Sequence, residues 1–171
     1  GDVYKRQAFI SGGKEYGVII APKHLAFNDT EINRTGVSVF MTEQQARENE
    51  LRGTQAAIED AGALGVMTAF NRVGITAANA HTGLLKNILR GEWGFKGLES
   101  QDFIMNPNYA VLKEYALNGG TMTTFTGENT MAAVSEKFAY WTTENVGQDT
   151  ELMSAIKQAM TWQAYALANS N

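Results

Sequence analysis

The chain has 171 residues, 44% of them hydrophobic and 19% charged, with a formal net charge of −4, enough for one domain with a real core. The absence of a basic block excludes nucleic-acid binding through a cationic face, and the absence of cysteine excludes a disulfide framework and any Cys-based metal site. No apolar run approaches the roughly 18 residues of a membrane helix, so no membrane segment is expected.

Residues 1–7 (GDVYKRQ) are unlike the rest of the chain and are set aside as a non-native leader; no signal peptide is visible, and the compartment stays open. The β-branched run from Tyr16 to Ala21 predicts a buried strand, disturbed at its end by Pro22. Thr42 with Gln45 three residues on forms a capping box, so a helix from about Glu43 to Asp60 is expected. Ala63 to Phe70 reads as a second strand, and a helix from about Thr82 to Arg90 succeeds it. Gly97 to Asp102 is a weaker third strand. Asn106 and Pro107 start a helix that Gly119 and Gly120 stop. Thr121 to Phe125 is a fourth strand, and Asn129 to Tyr140 another helix. The last helix spans about Thr150 to Ala168, with Leu152, Ile156, Met160, Ala164 and Leu167 along one face.

Four strand–helix pairs make a parallel α/β pattern, either an open doubly wound sheet or part of a closed barrel. A complete eight-unit barrel typically needs about 250 residues, so four units would be half of one. Sites in such folds lie at the carboxyl ends of the strands. There the chain carries Lys23 and His24, Phe70 and Asn71, and Asp102, a lining suited to a polyhydroxylated ligand. Each has a plainer reading: loop chemistry for Lys23 and His24, a turn for Asn71, a helix N-cap for Asp102. No phosphate-binding glycine fingerprint, nucleophile elbow or His-based metal pattern is present.

Four segments in order resemble glycoside hydrolase family 3, typified by β-glucosidases. KHLAFNDTEINR (23–34) is similar to the family's KHF segment, and GVMTAFN (65–71) to its GVMxSYN strand. LRGEWGFKG (89–97) is similar to the stretch that leads to the nucleophile strand, and 118–125 to the barrel's last strand. The resemblance implies a partial TIM-type (β/α) barrel of about four βα units, with residues 8–148 as its second half and 149–171 as a trailing helix. It implies that Asp102 is the nucleophile of a retaining glycosidase acting on terminal β-linked sugars. Lys23, His24 and Arg34 would bind sugar hydroxyls, and Met67 and Phe70 would shape the subsite. No cofactor or metal is implied. The other barrel half and the domain that supplies the general acid/base would be missing, so the chain alone is expected to be inactive, and its open strand edges to promote self-association. A non-catalytic carbohydrate-binding remnant is the alternative.

The chain departs from the family at three places. Phe70 replaces the usual Tyr, and Thr121 the usual Asp. The strand before Asp102 is Leu98-Glu99-Ser100-Gln101 where apolar residues are usual. Strand alternation turns Glu99 towards the helix layer, where an unpaired carboxylate is costly.

Overall fold

A computed structural model describes residues 2–34, 36–103, 111–124, 135 and 139–170. Helix α1 spans Asp2–Lys14, so residues 2–7 form its first turns. Arg6 and Gln7 reach the later helix through Thr54 and Asp60. The Thr42 capping box is formed, with the side chains and backbone N–H groups of Thr42 and Gln45 bonded reciprocally. From it runs α2 (Glu43–Gln45), a π-helical turn (Ala46–Glu50) and α3 (Arg52–Glu59).

Two strands form the centre. β2 (Gly65–Thr68) pairs in parallel with β5 (Leu98–Gln101), Gly65 opposite Leu98 and Thr68 opposite Gln101. A parallel bridge from Leu25 to Thr68 extends this pair on one side, and one from Ser100 to Met122 on the other. Four chain segments thus lie side by side in sequence order. Between them come the helical stretch 43–59, a π-helix (Gly83–Glu92) and α4 (Leu112–Leu117), as parallel neighbours require crossover connections. The core sits between the two strands and these helices, around Leu25, Val66, Ala57, Leu85 and Leu89.

Several expectations need correcting. Tyr16 to Ala21 is not a strand. Its first residues are consumed by the turn that ends α1, with Gly17 at φ 70° and Val18 N–H donating to the Gly13 carbonyl. The ladder contact comes later, at Leu25, whose N–H donates to the Met67 carbonyl at 2.8 Å. Thr121 to Phe125 contributes a single bridge at Met122; Phe125 lies outside the described residues. So do Asn106, Pro107 and most of the helix expected over Asn129 to Tyr140. A small sheet was not foreseen: β1 (Ser38–Val39) lies parallel to β3 (Arg72–Val73), which turns at Gly74 (φ 59°) into antiparallel β4 (Thr76–Ala77). Two-residue strands are too short to leave an alternation pattern.

After α5 (Thr143–Gln148), α6 spans Thr150–Ala168 as expected, capped by Asp149, whose carboxylate accepts from Leu152 N–H at 3.0 Å. Its expected apolar face is wrong. Leu152, Ala159 and Ala166 are buried, whereas Met160 and Leu167 are 63% and 64% exposed. Residues four apart drift about 40° around a helix at each step, while steps of seven keep one face.

One half-buried cation ties the strands to the helices. Arg90 donates to the carbonyls of Phe95 and Gly97, just before β5, and twice to that of Gly119, just before the Met122 bridge. Its guanidinium lies 3.9 Å from the centre of the Trp162 ring on α6. Gly97 and Gly119 are needed here: a side chain at Gly97 would strike the Leu64 carbonyl, and Gly119 has φ 97°.

Candidate active site

Strand β5 delivers Asp102 to its carboxyl end, where the Asp102 N–H donates to the Thr68 carbonyl at 3.0 Å. The side chain is 4% exposed. Oδ1 accepts from the Phe103 N–H at 2.8 Å. Oδ2 faces the 24–34 loop. It accepts from Arg34 Nη1 at 2.9 Å and lies 3.5 Å from His24 Nε2. Burial pushes the His24 pKa down, against the opposing pull of Asp102, and the charges of Lys23 and Arg34 push it further. At neutral pH its imidazole is therefore uncharged.

The loop that carries His24 and Arg34 is tightly folded. The Lys23–His24 and Leu25–Ala26 peptides are cis, and Phe27 and Asn33 have φ of 69° and 55°. Asn33 suits the left-handed region because its short polar side chain tolerates it. Its carbonyl accepts from the N–H groups of Gly36 and Val37, closing the turn behind Arg34. Arg34 stacks over the Phe70 ring, 5.1 Å from its centre, and Phe70 is buried.

The structure thus brings His24, Arg34, Phe70 and Asp102 together. Lys23 is exposed and lines a depression with Lys5, Phe9, Ile20 and Pro22. Met67 is half-buried on β2, opposite Ser100. Asn71 keeps the plainer role of a turn residue. It is buried, its amide donates to the Arg72 carbonyl, and its own carbonyl accepts from the Ala78 N–H. Three residues not singled out as functional also matter here. Asn28 and Glu31 lie four after His24 and three before Arg34, spacings that keep side chains close in a tight turn, and both touch their partners. The third is Arg90, which fastens the start of β5 to the helices.

Behind β5 sits the polar face anticipated from alternation. Glu99 is fully buried, with Oε1 accepting from the Thr68 hydroxyl at 2.6 Å and Oε2 without a hydrogen bond among the described residues. Burial pushes its pKa up to about 7, although Thr68 and Arg90 act against it. Gln101, on the same face, accepts from the Asn79 amide at 2.6 Å.

Residues 5–122 match the Glycosyl hydrolase family 3 N terminal domain. The chain belongs to this family. It is 40% identical over 102 residues to a probable beta-glucosidase K of Aspergillus fumigatus, a match covering 60% of this chain and 13% of that protein. Over 95 residues it is 41% identical to the beta-glucosidase B of Emericella nidulans, covering 56% and 11%. The chain thus spans a small part of the relatives it matches. Among solved structures, beta-glucosidase 3B from Thermotoga neapolitana in complex with glucose superposes with a TM-score of 0.79 at 24% identity, over 95% of this chain and 22% of that one. A beta-glucosidase from Kluyveromyces marxianus in complex with glucose does so with a TM-score of 0.67 at 25% identity, over 96% and 20%.

Proposed function

We propose that this family 3 chain is the second half of the catalytic barrel of a retaining β-glucosidase, with Asp102 as its nucleophile. The observation that carries this reading is the Asp102 carboxylate at the end of β5, with Oδ2 held by Arg34 and faced by His24. The two curated relatives named above are called beta-glucosidases, which supports the substrate class.

In the proposed reaction Asp102 attacks the anomeric carbon, the glycosidic C–O bond breaks, and a covalent glycosyl-enzyme forms. Water then cleaves that ester and restores the carboxylate with net retention. The second carboxyl group, which protonates the leaving oxygen and later activates water, sits about 5–5.5 Å from the first in such enzymes. None of the carboxylates in this chain is assigned that role. Arg34 has donors beyond those directed at Asp102 and Glu31 and is placed to fix a sugar hydroxyl beside the carboxylate, and the His24 imidazole flanks the same position. Lys23, exposed and close enough for its charge to act on His24, reaches a hydroxyl by rotating its long side chain. Met67 and Phe70 form the apolar wall.

The test joins these residues to a full-length protein. That protein is expected to turn over an aryl β-glucoside with retention, and Asp102→Ala to lower kcat at least about 10³-fold. Turnover unaffected by Asp102→Ala would end the assignment. The 171-residue chain alone is expected to show no such turnover. If calorimetry finds that it binds glucose, with binding weakened by Lys23→Ala, and full-length turnover is absent, the sugar-binding alternative holds instead.

A further inference from the structure

The contacts around Asp102 do not stop at Arg34 and His24; they close into a ring. Arg34 turns one edge of its guanidinium to Asp102 and the other to Glu31, with Nε 3.2 Å from Glu31 Oε2. The other oxygen of Glu31 accepts from Asn28 Nδ2 at 3.2 Å. The same Asn28 nitrogen lies 3.4 Å from His24 Nδ1, and His24 Nε2 returns to Asp102.

The direction of the donors around this ring is set by its two carboxylates, Asp102 and Glu31. An ionised carboxylate only accepts, so the Asn28 group facing Glu31 is the amide NH₂. Turning the amide over would set its oxygen against the Glu31 carboxylate and leave the NH₂ in the buried place where Oδ1 now has no partner among the described residues. The NH₂ therefore also faces His24 Nδ1, which must offer its lone pair, and the ring proton of the neutral imidazole resides on Nε2, aimed at Asp102.

We propose that Glu31 and Asn28 are positioning residues for the nucleophile: Glu31 orients Arg34 on one side and Asn28 on the other, and Asn28 selects the His24 tautomer that donates to the same Asp102 oxygen. The proposal rests on the reading of Asp102 as the nucleophile. The Glu31 side chain is 70% exposed, so its ion pair with Arg34 adds little stability. Its effect is on geometry. The Arg34 guanidinium is constrained at both edges and on its face by Phe70, and rotation away from Asp102 breaks several contacts together.

The chain has two histidines, His24 and His81, so the test is legible in a spectrum of two imidazoles. The chain is labelled with ¹⁵N-histidine, and long-range ¹H–¹⁵N spectra are recorded near neutral pH, with His24→Gln to assign the signals. Wild-type His24 is expected to be neutral and protonated at Nε2. Asn28→Ala should lower its Nε2–H to Nδ1–H ratio about fivefold, the factor one net hydrogen bond sets, with the His81 signals unmoved. Glu31→Gln should lower that ratio in the same direction and speed hydrogen exchange at Arg34 Nε. A wild-type His24 protonated at Nδ1 overturns the proposal outright. So do folded variants that leave the ratio unchanged. If Asn28→Ala fails to fold, the exposed Glu31→Gln substitution decides. None of these signals depends on sugar or turnover, so they stand or fall apart from the enzymatic reading.

Discussion

Glu99 is the residue at which burial and charge conflict most. Its pKa in the folded chain, about 7, lies above its ordinary 4.5. Between those values the folded state holds a proton that the unfolded state has released, so stability falls as pH rises through this window and levels off above it. The loss is on the order of 3 kcal/mol. Glu99→Gln keeps an oxygen to accept from Thr68 and removes the charge. Urea midpoints of that variant are expected to lose the Glu99-linked fall between about pH 5 and 8, and to exceed those of the wild type at the upper end. A wild-type midpoint that does not fall over this range would contradict the account. Alternation along β5 was enough to turn Glu99 inward from the sequence. That one oxygen finds Thr68 and the other nothing among the described residues depended on the neighbouring strand.

At the scale of elements, the helices were legible where their signals are local. The Thr42 capping box reads from four consecutive residues and forms as read. The central strands also emerged, because a short apolar run between polar stretches marks β2. The Leu25 and Met122 positions are harder: each is defined by one bridge to a distant partner. Arg90 connects these pieces through a geometry no local pattern contains. Its bonds join the end of one helix to the starts of two strand positions, and burial lowers its pKa to about 10. Arg90→Met should therefore leave three buried carbonyls short of a donor and cost on the order of 3 kcal/mol. Equilibrium denaturation measures this; a loss under ~1 kcal/mol would show that water replaces the guanidinium.

At the scale of the whole molecule, large apolar side chains remain on the surface, among them Tyr4, Phe9, Tyr16, Phe40 and Ile75, each more than 70% exposed. Among the described residues the central sheet continues past β2 and β5 by one bridge on either side. Exposed apolar surface and poorly protected strand edges favour association. Light scattering should therefore show mass rising with concentration. A single monomeric species at high concentration, unfolding cooperatively, would refute this.

By itself the sequence determined the α/β class, the family, the position of Asp102 at the end of a strand, and the bounds of α6, because periodicity, caps and ordered motifs are properties of neighbouring residues. Only the tertiary structure decided what surrounds that carboxylate. Arg34 meets Asp102 across 68 residues of chain, and Glu31 and Asn28 join them through a loop whose backbone turns are stabilised by the elements packed beneath it. Contacts at such separations are set by how the chain packs, which no local pattern of residues specifies.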